Sequence, residues 1–205
     1  MTGASNNVKS TDYHGHMALW NELLRAGLDE DGWQWDWTTL GTLGAERGSK
    51  SLKARVVAKS AGVWAAAGLV PALNSLALEL GASGVIAKSS LRDGARFKSG
   101  QVLVEWNGPA RLVLALERPF LNLAAYVSGI ATQTDKLVSI VSKACPRRTP
   151  RVTSTRKTLP GYRDVGNLGV QAGGGFSHRV SLSGGVLIKE NHVAAARGIR
   201  RAIEG

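Results

Sequence analysis

Apolar positions recur at helical spacing early in the chain and then give way to alternation. Between Ala18 and Leu28, Leu19, Leu23 and Leu24 share one face, the spacing of an amphipathic helix. Trp33, Trp35 and Trp37 alternate with Gln34 and Asp36. That period of two predicts an extended segment with three indoles on one side, packed into a core or offered as a ligand platform. Leu52 to Lys59 alternates as a strand with lysine and arginine on its wet face. Pro71 suits the first turn of a helix, and Leu73, Leu76, Ala77 and Leu80 continue it at helical spacing. Residues 84–87 and 101–106 read as strands, with Arg92-Asp93-Gly94 as a turn between them. Strands and helices mixed without strict alternation predict an α+β unit over residues 1–116, opening with a polar tail at 1–12.

From Glu117 the pattern changes. Residues 119–127 and 130–144 read as two helices. Arg151 to Thr155 is a short β-branched strand stopped by Pro160-Gly161. Gly185 to Ile188 reads as a buried strand, followed by a helix with Val193, Ala196, Ile199 and Ile203 on one face. Apolar strands alternating with helices predict a parallel sheet, open or barrel-like, over residues 117–205.

Composition narrows the function. The 205 residues allow one or two domains, and 43% hydrophobic residues describe an ordinary globular protein. The longest uncharged run, Ala61 to Leu78, is broken by Pro71, Asn74 and Ser75, short of the roughly 20 apolar residues of a membrane span. The first residues lack the apolar core of a secretory signal. Cys145 is the sole cysteine, so intramolecular disulfides and thiolate zinc clusters are excluded and a cytoplasmic location is expected. Twenty-six Lys and Arg against 15 Asp and Glu give a net charge of +11, which calls for an anionic partner. Arg147, Arg148 and Arg151 form the only dense basic stretch, and no RNA-binding aromatic motif accompanies it. A small anion fits this dispersion better than nucleic acid.

Both expected strands of the second region end in basic and polar residues: Thr155-Arg156-Lys157-Thr158 and Lys189-Glu190-Asn191-His192. Carboxyl ends of strands are where barrel enzymes place their chemistry. Between them, Gly173-Gly174-Gly175 precedes Phe176-Ser177-His178-Arg179. Glycines allow positive φ and close backbone approach, so this reads as an anion-binding turn. From Arg147 to Lys189 there are eight cations (Arg147, Arg148, Arg151, Arg156, Lys157, Arg163, Arg179 and Lys189) against one acid, Asp164. Guanidinium forks specify carboxylates and phosphates. Other chemistry is poorly supported. His14-Gly15-His16 lacks a third metal ligand nearby, so no metal site is assigned; Cys145 has no nucleophile motif around it; Ser183-Gly184-Gly185 is not a nucleophile elbow.

Several of these segments carry a family resemblance. Glu117-Arg118-Pro119-Phe120-Leu121-Asn122 with Ser128-Gly129-Ile130-Ala131-Thr132 resembles the helix motif of the quinolinate phosphoribosyltransferases, also called nicotinate-nucleotide pyrophosphorylases (carboxylating). Thr155-Arg156-Lys157-Thr158-Leu159-Pro160-Gly161, the triple glycine with His178-Arg179, and Leu187-Ile188-Lys189-Glu190-Asn191-His192 resemble the same family in the same order. Asp36-Trp37-Thr38-Thr39 is similar to its Asp-x-Thr-Thr element, and the likeness runs from about Leu19 onward. Ser154 stands where the family usually has aspartate, and Ser177 where asparagine is common.

The resemblance implies an α/β fold: an N-terminal sandwich domain (1–116) and a C-terminal α/β barrel begun by residues 117–205. It implies a dimeric pentosyltransferase that moves phosphoribose from phosphoribosyl pyrophosphate to quinolinate. Carbon dioxide and pyrophosphate are lost and nicotinate mononucleotide is made for NAD biosynthesis, with Mg²⁺ accompanying the sugar substrate. By the same resemblance Thr155, Arg156, His178 and Arg179 bind substrate, Lys157 and Lys189 face substrate and phosphoribose as catalytic groups, and Arg118 reaches the neighbouring subunit's site. The family's later glutamate strand, Leu-Asp-Asn strand end and glycine-rich phosphate loops have no counterpart. A chain cut short within its barrel, and inactive by itself, is therefore expected. A non-catalytic anion-binding or dimerising remnant and the family's molybdenum-transport relative are the alternatives.

Overall fold

The structure, a computed structural model, describes residues 13–48, 50–82, 86–148 and 150–205; the polar tail expected at 1–12 lies outside them. Helix α1 (Tyr13–Asp31) opens the chain. Its innermost line is Trp20, Leu24 and Leu28, with Leu19 and Leu23 flanking it, so the expected face is rotated by about one position. The three tryptophans do not form an extended stripe. Trp33–Trp35 is a single 3₁₀ turn and Trp37 begins α2 (Trp37–Gly48). Only Trp33 packs on the core; Trp35 and Trp37 are 68% and 73% exposed and tilt against each other at 5.8 Å. Local capping overrides the alternation: the Asp36 carboxylate accepts the Thr39 N–H at 3.0 Å, which fixes the start of α2.

Strands β1 (Ser51–Val57), β3 (Ile86–Lys88) and β5 (Val102–Pro109) form an antiparallel sheet in the order β1-β5-β3, while β2 (Gly62–Val63) pairs with β4 (Arg96–Phe97). Helix α3 (Leu69–Glu79) has Pro71 in its first turn and buries Leu73, Leu76 and Ala77, as the pattern predicts. Asn74 bonds both the N–H and C=O of Ala87, tying α3 to β3.

The two helices expected after residue 118 are one. Helix α4 (Ala110–Ala144) runs 35 residues, about 52 Å at 1.5 Å per residue. Pro119 lies inside it, where the lost N–H and the ring normally disfavour a helix by about 3 kcal/mol. Tertiary packing overrides that preference. Pro119 is buried against α1 at Gly27, where an added Cβ would come within 3.0 Å of the proline ring. Leu112, Leu116, Phe120, Leu123 and Val127 fill the core beneath the sheet. Two polar residues of α4 are also structural. Ser128 Oγ accepts the Ala65 N–H at 3.2 Å, and Thr132 Oγ1 accepts the Val63 N–H at 2.9 Å while donating to the Ser128 carbonyl at 2.7 Å.

Helix α5 (Arg163–Ala172) lies on α4 through glycine. A Cβ on Gly169 would come within 2.8 Å of the Val127 carbonyl, and one on Gly173 within 2.3 Å of the Ala131 carbonyl. The mixed α/β character stands, but among the described residues parallel pairing is confined to one bridge, Thr153 to Phe176. Neither expected strand of the second region forms. Residues 185–188 are irregular, with Val186 94% exposed, because no described strand lies alongside to accept their hydrogen bonds. The helix expected after them is two, α6 (Glu190–Ala195) and α7 (Ile199–Glu204), separated where Arg197 and Gly198 take positive φ of 57° and 141°.

Candidate active site

The single parallel bridge is what brings the two basic segments together. The Phe176 N–H donates to the Val152 carbonyl and the Ser154 N–H to the Phe176 carbonyl, both at 2.9 Å. The His178 N–H then reaches Ser154 Oγ at 3.4 Å. Residues 152–155 and 176–178 therefore run side by side, each leading into its basic loop. Ser154 and Ser177, the two departures from the family pattern, act as local acceptors: Ser177 Oγ receives the Gln171 Nε2–H at 2.7 Å.

The triple glycine serves packing more than ligand approach. Only Gly174 has positive φ (82°); Gly173 abuts α4, and a Cβ on Gly175 would come within 2.7 Å of Val170. The glycines let α5 turn tightly against α4 and deliver Phe176 to its bridge. Arg163 spans the same two segments, its Nε–H on Thr158 Oγ1 at 3.4 Å and its Nη1–H on the Val180 carbonyl at 3.2 Å. It was legible as one cation among eight, but its bridging position was not.

Thr155 and Lys157 line a cavity of about 570 Å³ between the 152–159 segment, α4 and α5, with Tyr126, Thr134 and Asn167 in its walls. Arg179 lines a separate cavity of about 520 Å³ with His192 and Arg201, neither of which was assigned a role from sequence. The Arg179 guanidinium donates to the carbonyls of Ser181 (3.0 Å) and Leu182 (3.3 Å). It keeps further donors free, since a guanidinium carries five. Arg156, His178 and Lys189 are exposed, and the Lys189 N–H donates to His192 Nδ1 at 3.0 Å at the start of α6. Arg118 is exposed on α4 and lines neither cavity.

Charge is uncompensated here. The ion pairs among the described residues are Arg25–Glu79, Arg96–Asp135 and Arg200–Glu204, none of which involves the eight cations from Arg147 to Lys189. Arg151 sits over the Phe176 ring at 4.7 Å instead. No three His, Cys, Asp or Glu side chains among the described residues converge, and the one carboxylate between Arg147 and Lys189, Asp164, is exposed in the first turn of α5. No described helix is long and apolar enough to cross a membrane.

Fold and charge together define an α/β protein whose second region gathers unpaired cations around two adjoining loops. Residues 36–128 match the family model for the quinolinate phosphoribosyl transferase N-terminal domain, and residues 130–205 match that for its C-terminal domain. The chain is 36% identical over 156 residues to a probable nicotinate-nucleotide pyrophosphorylase [carboxylating] of Archaeoglobus fulgidus, covering 76% of this chain and 57% of that protein. It is 38% identical over 155 residues to the probable enzyme of the same name from Bacillus subtilis, covering 76% and 51%. In structure it is similar to the nicotinate-nucleotide pyrophosphorylase of Francisella tularensis (TM-score 0.79, 27% identity, 92% of this chain and 62% of that one). It is also similar to that of Ehrlichia chaffeensis (TM-score 0.78, 30% identity, 89% and 63%). The chain belongs to the quinolinate phosphoribosyl transferase family, and it spans about half the length of the curated relatives it matches.

Proposed function

We propose that this chain supplies the quinolinate-binding part of a nicotinate-nucleotide pyrophosphorylase (carboxylating). The reaction is transfer of phosphoribose from phosphoribosyl pyrophosphate to the quinolinate ring nitrogen, with loss of carbon dioxide and pyrophosphate. The observation that carries this reading is the set of eight cations from Arg147 to Lys189, none paired with a carboxylate among the described residues. A planar dicarboxylate answers that surplus. Arg156, His178 and Arg179 hold its carboxylates, Thr155 and Lys157 line the adjoining cavity, and Lys189 meets the phosphorylated sugar. Held carboxylates orient the ring nitrogen, and positioning of this kind contributes up to roughly 7–11 kcal/mol to a bimolecular step. The 1–116 and 117–205 halves act as a unit in this scheme, in a homodimer where Arg118, exposed and outside both cavities, serves the partner's site. A cytoplasmic setting accords with the lone Cys145.

Calorimetric titration with quinolinate tests the reading. Arg156→Ala and Arg179→Ala should each weaken binding by about 1.5–3 kcal/mol, the value of a hydrogen bond to a charged group. Unchanged affinity in both would remove these arginines from the site. With quinolinate, phosphoribosyl pyrophosphate and Mg²⁺, the 205-residue chain should bind without forming nicotinate mononucleotide, because a single carboxylate, Asp164, stands among the eight cations from Arg147 to Lys189. Product formation would refute that part.

A further inference from the structure

A third cavity, of about 540 Å³, lies between the β1–β2 connection, β4 and α4, away from the basic loops. Its walls are largely apolar, built from Val56, Trp64, Phe97, Leu103, Leu121 and Ala124. Two lysines line it, Lys59 on the β1–β2 connection and Lys136 on α4. Neither pairs with a carboxylate among the described residues, and no acidic residue lines the cavity. The neighbouring acid, Asp135, is engaged by Arg96 at 2.6 Å. Ser128 and Thr132, also in the wall, already satisfy backbone N–H groups. Trp64 is only 1% exposed, and its indole N–H has no acceptor. Buried donors of this kind are rarely left unpaired.

A pocket of this volume suits a small organic ligand, since such sites are mostly apolar with a few placed polar groups. We propose that this cavity is a binding site for a small amphipathic carboxylate, an aromatic or aliphatic body with one acid group, distinct from the site of the basic loops. The apolar walls take the body. Lys59 and Lys136 take the acid at the mouth, where both are exposed. A cationic ligand would meet two lysines and no counter-charge.

The test is calorimetric titration of the full 205-residue chain with 1-naphthoate, and with 1-naphthamide as its neutral counterpart. Naphthoate should bind saturably and the amide at least several-fold more weakly. Lys59→Met and Lys136→Met should each weaken naphthoate by about three- to fivefold, as exposed charge pairs do, and about tenfold together. Ala125→Trp places bulk in the cavity at an exposed position and should abolish binding, with folding checked by thermal melting. Arg156→Ala and Arg179→Ala should leave naphthoate binding intact, whatever they do to quinolinate. Equal affinity for acid and amide overturns the proposal. So does naphthoate binding untouched by the lysine and Ala125 variants, or lost in the arginine variants.

Discussion

One methyl group should separate two glycines that lie within a few turns of each other. Gly173 ends α5 with φ −79° and ψ 7°, a conformation alanine adopts freely, so Gly173→Ala carries no backbone penalty. Its cost is purely steric. The new Cβ would sit 2.3 Å from the Ala131 carbonyl oxygen and 2.6 Å from Thr134 Cβ, both on α4 and neither at the end of a flexible side chain. Ordinary contact begins near 3.4 Å, so α5 must retreat by about 1 Å, and overpacking of this kind costs about 1–3 kcal/mol. Gly129, inside α4, meets nothing within 4 Å where a Cβ would go. Gly129→Ala should therefore stabilise by about 0.5–1 kcal/mol, because glycine is the poorer helix former. Urea unfolding midpoints of the two variants should move in opposite directions. In melting temperature, Gly173→Ala should lose about 2–4 °C per kcal/mol for a chain of this size. Its quinolinate affinity should fall too, since α5 positions the Phe176 bridge. A Gly173→Ala protein as stable as wild type would refute the argument that these glycines exist to let α5 approach α4.

Three further outcomes follow from the contacts described. Thr132→Val removes the acceptor of the buried Val63 N–H and should destabilise by about 1–3 kcal/mol, read from the urea midpoint; Thr132→Ser should restore most of the loss. Asp36→Ala removes the cap of α2 and should cost about 1 kcal/mol at neutral pH. Hydrogen bonds from the Thr39 side chain and backbone hold the Asp36 carboxyl below its ordinary range. Its contribution is therefore complete above about pH 4 and fades as pH falls through the lowered folded value, so wild type and variant should converge in acid; a constant gap down to acid pH would count against the cap. Arg163→Met frees the Thr158 and Val180 segments from each other and should raise trypsin cleavage after Lys157 and Arg179 while weakening quinolinate binding. An unchanged digestion pattern would show that the bridge does not order the loops.

Legibility in the sequence followed the range of the forces involved. Helices α1 and α3 and strand β5 were readable because each buries one face, and β1 because Ala54 and Val56 alternate onto the core, so that packing writes its period directly into the residues. The tryptophan alternation misled because a local cap at Asp36 and Thr39 outweighed the apolar period. The helix expected to start at Pro119 starts nine residues earlier, because Gly27 admits the proline ring into the α1–α4 contact, a pairing of positions 92 residues apart. Gly185 to Ile188 had the composition of a buried strand, but a strand exists only with a neighbour to bond. At the site, the basic residues were visible as types. Their grouping into one cavity with Thr155 and Lys157 and another with Arg179 and His192 depends on the Thr153–Phe176 bridge, which no local pattern announces.

The continuity of α4 bears on how the chain is dissected. Its first half completes the core under the antiparallel sheet, its second half is the floor on which α5 rests, and no break separates them. The two family matches meet at residues 128 and 130, in the middle of this helix. An N-terminal piece ending there would sever the helix just before Thr132, leaving the Val63 N–H without its acceptor. A C-terminal piece beginning there would strip α5 of Tyr126, which meets Tyr162 edge to face at 5.3 Å, and of the Val127 turn against Gly169. Expression of separate parts must therefore keep the helix whole, with Ala144 as the earliest sensible end of an N-terminal piece and Ala110 as the latest sensible start of a C-terminal one. Two domains of one family meet on what is mechanically a single beam.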